Sequence, residues 1–155
     1  MADLKEMFWD RMDDVQAGLL AADGERPVPM APKTDADEGA IWFITAAGSA
    51  ADRASKSGGE ASFHVADPKA KIFANVFGKV DEQTNEAKLD ELWDKMAAAW
   101  FPKGRQDQAV RLVKFTPHDA EVWASDGTAT YLYEVAKANI TDTIPDVGEH
   151  GRVTF

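Results

Sequence analysis

Apolar positions change period several times along this chain, and each change marks an element. Leu4, Met7, Phe8 and Met12 fall on one helical face behind Asp3, with Glu6 three residues later as a capping partner. This spacing predicts a first helix ending near Asp14. The short apolar run at 15–22 and the segment 26–32 flank Asp23-Gly24, which predicts a hairpin. Prolines at 27, 29 and 32 cannot donate to a ladder, so the second segment belongs at an edge, where backbone groups stay free for a ligand. Residues 34–39 read as an acidic loop. The unbroken Ala40-Ile41-Trp42-Phe43-Ile44-Thr45 then reads as a strand buried on both faces. Ser49 caps a short helix to about Lys56 that Gly58-Gly59 stops.

Two further strands are expected at 61–66 and 71–80, around the turn Asp67-Pro68-Lys69, with Gly78 a candidate bulge. A long helix from Thr84 or Asn85 to Trp100 places Leu89, Leu92, Trp93, Met96 and Trp100 on one stripe, before Pro102 and Gly104 end it. Residues 110–116 and 120–124 read as a last hairpin across Pro117 and His118. Residues 128–140 form a last helix, and the tail after Asp142 reads as turns. Strands clustered between helices, with no repeat or linker, predict one antiparallel α+β domain built as a small barrel.

With 155 residues the chain can bury a core without staples, and it has no cysteine, which excludes disulfides, thiol nucleophiles and thiolate metal sites. A reducing cytoplasm is the expected setting. The N-terminal residues carry no apolar run of signal or membrane length, so neither targeting nor anchoring is expected. A net charge of −10 repels nucleic acid and anionic lipid. It leaves room for a small anion held by a few local donors.

Catalytic signatures are missing. No two glycines are spaced as G-x-G, and His64, His118 and His150 lie too far apart in sequence for a common metal motif, so each reads as structural or surface. Asp13-Asp14 and Asp90-Glu91 read as solvated faces. What remains is the proline-bent edge, the aromatic strand ending at Thr45 and the helix start at Ser49. Together these suit a flat phosphorylated molecule. The same residues also read as ordinary core and an ordinary cap.

Taken in order, several segments resemble the general stress protein branch of the pyridoxamine 5′-phosphate oxidase-like FMN-binding split barrels. They are Pro27-Val28-Pro29-Met30, the aromatic strand at 40–45, Leu89-Asp90-Glu91-Leu92-Trp93, Ala99-Trp100-Phe101-Pro102-Lys103-Gly104, Arg111-Leu112-Val113, Ala120-Glu121-Val122-Trp123 and Gly148-Glu149-His150-Gly151. The resemblance covers nearly the whole chain. It implies a six-stranded antiparallel split β-barrel with flanking helices, forming a homodimer with FMN between the subunits. The ring site would involve Pro29, Met30 and Ala31 with Trp42, Phe43, Ile44 and Thr45. Ser49 matches a phosphate-contacting serine, and Trp100 and Phe101 would belong to the wall or the interface. Ala51 stands where many relatives have lysine, so Arg53 becomes the expected phosphate cation.

The implied function is that of a cytoplasmic, stress-related flavoprotein passing electrons or hydride through FMN, which needs no acid or base from the protein. Pyridoxamine phosphate oxidase activity itself is not expected, because the basic cluster for its substrate is missing. A cofactor-free or ligand-sensing dimer is the alternative, and a deazaflavin or haem a third ligand class.

Overall fold

In a computed structural model the chain is described over residues 3–125, 128–144 and 148–155, with the backbone alone at 128–131. Met1, Ala2 and the 145–147 part of the tail lie outside the described residues. Its elements run α1 (Leu4–Met12), β1 (Gly18–Ala22), β2 (Val28–Met30), β3 (Lys33–Asp35), β4 (Ala40–Ala46), α2 (Ala50–Lys56), β5 (Glu60–Asp67) and β6 (Ile72–Gln83). There follow α3 (Glu86–Leu92), α4 (Lys95–Trp100), β7 (Val110–Ser125), α5 (Thr128–Thr141) and β8 (Gly148–Thr154). One antiparallel sheet runs β2-β1-β5-β6-β7-β4-β3, and β8 adds to β7. Its two end strands, β2 and β3, succeed each other in the chain without pairing, so the curled sheet is a split barrel.

Local signals hold where they are strongest. Asp3 accepts from the Glu6 N–H at 2.8 Å and starts α1, and Ser49 accepts from the Asp52 N–H at 3.2 Å and starts α2. β1 and β2 form the expected hairpin, and the β6–β7 register shifts between Phe77 and Gly78, although the extra residue is His118 of β7 and Gly78 stands opposite the bulge rather than in it.

Four expectations are corrected. The long helix is two, because Trp93 is extended (ψ 127°) and Asp94 restarts the chain as a cap for the Ala97 N–H. The last hairpin is one strand of 16 residues, since Pro117 sits opposite Gly78 at the register shift, where a missing N–H costs no ladder bond. Part of the acidic loop is β3, paired with β4. The tail, expected to be turns, becomes β8, held by seven register pairs to β7. The sheet therefore has eight strands where six were expected, two of them three-residue edge ribbons.

Alternation divides the sheet into two faces. Ile41, Phe43, Phe63, Val65, Ile72, Val76, Val80, Val113, Phe115 and Val122 point into the barrel, closed by Phe8 and Met12 of α1 and by Ala51 and Ala54 of α2. Each fully buried Phe or Ile contributes about 1.5–3 kcal/mol of transfer free energy. Ala40, Trp42 and Leu112 point outward into a second small core roofed by Leu89 and Leu92 of α3. Elsewhere the outer face of β1, β5 and β6 stays open, leaving Leu19, Phe73 and Phe77 exposed. No helix among the described residues is long and apolar enough to cross a membrane.

Candidate functional site

The residues singled out from the sequence fall in two groups, those of β2, β4 and the end of α4, and those at the start of α2. In the first, Pro29 pairs with Leu19 on the edge ladder and is exposed, while Met30 is half-buried against the main core and Ala31 is half-buried beyond it. Trp42, Phe43, Ile44 and Thr45 follow one another in β4, so their side chains alternate. Trp42 and Ile44 face α3, whereas Phe43 is wholly buried between Phe63 and Phe115, with ring centroids 5.1 and 6.4 Å away. The four side chains do not share one wall; only their backbone does. Trp42 also lies beneath two ammonium groups, Lys88 Nζ 5.3 Å and Lys114 Nζ 5.6 Å from its ring, and its buried Nε1 has no hydrogen-bond partner.

Phe101 is buried beside Trp93, with centroids 6.1 Å apart, but Trp100 is 79% exposed. Ion pairs clamp the α3–α4 segment to β3. Lys88 bonds Asp35 at 3.0 Å and Glu91 at 3.2 Å, and Lys33 pairs with Asp94. The hydrogen bond with Asp35 raises Lys88 above its ordinary 10.5, and that bond, with the Glu38 N–H, lowers Asp35. For Asp94, burial pushes upward, but hydrogen bonds from Lys33 and the Ala97 N–H bring the carboxyl below its ordinary 3.8.

The second group surrounds the start of α2. Thr45 Oγ1 and Ser49 Oγ lie 2.9 Å apart, and Ser49 Oγ already caps the helix. Asp52, which sequence reasoning missed, is completely buried. Its Oδ2 accepts from the Gly48 N–H at 2.8 Å and lies 3.4 Å from Lys56 Nζ. Its Oδ1 has no hydrogen bond and faces Arg111 Nε at 3.8 Å, with Glu82 3.6 Å from the same nitrogen. An acidic residue three places after the expected Ser49 cap was the available signal.

Arg53 donates from Nε to Asp23 at 2.9 Å, pairs through Nη2 with Glu25 and donates through Nη1 to the Gly48 carbonyl. The β1–β2 turn thus wraps its two carboxylates around the guanidinium. Arg26 is exposed and has no bonding partner among the described residues. A cleft of about 390 Å³ opens beside this turn, lined by Asp23, Glu25, Ser62, Phe77, Lys79 and Asp119 among others.

The histidines are dispersed. His64 bridges Ser62 and Asn75 at 2.8 Å each, His150 stacks on Trp123 and contacts Glu121, and Asp119 pairs with Arg152 rather than His118. No metal-binding group occurs among the described residues.

β2 is a three-residue edge strand with one side unpaired, and Leu19 of β1 and Phe77 of β6 are exposed. A phosphate dianion needs free donors and cations, and around α2 these are already engaged by Asp52, Asp23 and Glu25. The donors and cations at the start of α2 are thus engaged within the chain.

The fold is an antiparallel split barrel with β2 and β3 as its edge strands. The chain belongs to the pyridoxamine 5′-phosphate oxidase-like family, whose model matches residues 3–146, and to its general stress protein branch. A crystal structure from Jannaschia sp. CCS1, provisionally assigned as general stress protein 26, is 45% identical over 100% of both chains, with a TM-score of 0.91. The general stress FMN/FAD binding protein from Xanthomonas citri is 26% identical over 81% of this chain and 91% of its own, with a TM-score of 0.70. A heme binding protein from Mycobacterium smegmatis shares the fold at 12% identity and TM-score 0.65, covering 99% of this chain and 59% of its own. No protein with a curated description matches the chain.

Proposed function

We propose that this protein is a flavin-binding, stress-related split barrel that works in the cytoplasm as a homodimer, its 155 residues forming one flavin-binding domain. The observation that carries this reading is the similarity to the Xanthomonas citri FMN/FAD binding protein across most of both chains. The open edge supports it. Pro29, Met30 and Ala31, with the backbone of Trp42, Phe43, Ile44 and Thr45, are the residues that would hold the ring, and Trp100 and Phe101 would complete its wall. A bound flavin supplies the redox chemistry, and the protein's part is to orient the ring and exclude water. FMN is the form that the family resemblance implies.

The dimer rests on unpartnered apolar surface. Leu19, Phe73 and Phe77 on the outer face, Trp100 and Met96 on α4, and Leu132, Tyr133 and Ile140 on α5 are all at least 36% exposed. A second copy of the chain packed on the outer face would cover Leu19, Phe73 and Phe77. Titration of the purified protein with riboflavin and FMN, followed by flavin fluorescence, tests the ligand, and sedimentation tests the assembly. Quenching that saturates at micromolar flavin and a mass of two chains are expected. No quenching by either flavin overturns the flavin reading, and a monomer at micromolar concentration overturns the dimer.

A further inference from the structure

The start of α2, where the resemblance would seat a phosphate, carries more carboxylates than cations. Four carboxylates, Asp23, Glu25, Asp52 and Glu82, meet three cations there, Arg53, Lys56 and Arg111, and each cation lies within 4 Å of at least one carboxylate. The N–H of Gly48, at the turn into α2, is taken by Asp52, and the Asp52 N–H by Ser49. Asp52 is fully buried, with Lys56 and the Gly48 N–H at one oxygen, while the other lacks a hydrogen bond and faces only Arg111, which it shares with Glu82.

We infer that this acidic frame makes the protein a binder of the flavin ring that is indifferent to the 5′-phosphate, with Asp52, Asp23 and Glu25 as the residues that set this specificity. A phosphate brought to α2 would have to displace a carboxylate from Arg53 while facing the fixed charge of Asp52. It would trade one anion for another at the same guanidinium, with no net gain in charge-assisted bonds. The inference rests on the flavin reading above, and the two fail separately.

The test compares riboflavin with FMN on the full chain by fluorescence titration. The two dissociation constants should agree within about threefold, where one charge-assisted phosphate contact would separate them by roughly tenfold or more. Arg53→Ala should weaken neither flavin selectively, because that guanidinium is already neutralised. The double variant Asp23→Asn, Glu25→Gln frees Arg53 at exposed positions where folding is not at risk. It should raise FMN affinity about tenfold and leave riboflavin within twofold. Native FMN binding tenfold tighter than riboflavin, or a selective FMN loss in Arg53→Ala, overturns the inference and leaves the flavin reading standing. Failure of both flavins to bind overturns both.

Discussion

Gly78 lies where β6 and β7 change register, and replacing it with alanine tests whether that irregularity is a fixed part of the barrel. A Cβ built there would stand 2.2 Å from the Thr116 carbonyl oxygen and 2.9 Å from Pro117 Cα. Both obstacles are backbone atoms of the paired strand, so no side chain can rotate away to make room. β6 is hydrogen-bonded to β5 on one side and β7 on the other, which prevents it from sliding. Overpacking typically costs about 1–3 kcal/mol, and relief here requires moving a strand, so about 3 kcal/mol is expected. In a chain of this size that lowers the melting temperature by roughly 6–12 °C. Gly24→Ala is the control. Its Cβ would meet nothing within 4 Å, and the cost is that of placing alanine at φ +68°, about 1–2 kcal/mol. Urea unfolding of both variants checks the ordering, and a Gly78→Ala variant no less stable than Gly24→Ala would refute the reasoning.

Phe43→Ala should cost about 3–5 kcal/mol, because the ring is wholly buried between Phe63 and Phe115, whereas Phe77→Ala, 46% exposed on the outer face, should leave subunit folding within about 0.5 kcal/mol and weaken the dimer. Chemical denaturation and sedimentation separate the two effects, and equal loss of folding stability would contradict the assignment of faces. The clamp of α3 and α4 on β3 should depend on pH. Asp35 and Asp94 are held below 3.8 in the folded state, so their contribution is complete above about pH 4 and is lost as the pH falls through the folded values. Lys88 is held above 10.5, so its contribution is present through neutral pH and is lost as the pH rises through that higher value. Tryptophan emission from Trp42 and Trp93 should therefore change at both extremes, and tighter docking at pH 3 would exclude the clamp.

What the chain determines by itself is whatever a few neighbouring residues decide. Asp3 with Glu6, Ser49 with Asp52 N–H and the Asp23-Gly24 turn all act within a span of a few residues, and all stand where their local chemistry puts them. The unbroken apolar run of β4 likewise announced burial on both faces, since a strand covered on one side alternates.

Tertiary structure decided the rest. Residues 110–125 look interrupted at Pro117, and only the facing Gly78 lets the ladder pass through. The stripe from Leu89 to Trp100 has helical period throughout, yet Asp94 is drawn to Lys33 of β3 and caps a new helix there. The polar tail at 148–154 has little strand signal of its own and becomes β8 because β7 offers it an open edge. The site divides in the same way. Ser49 beside Thr45 follows from four residues of local chain. Arg53 reads from the sequence as a free cation on a helix, and its neutralisation by Asp23 and Glu25, about thirty residues earlier, exists only because the barrel closes the β1–β2 turn over α2. Charges separated that far along a chain carry no sign of their pairing until the backbone brings them within hydrogen-bond distance, and at that point the partner, rather than the residue type, sets what the cation can bind.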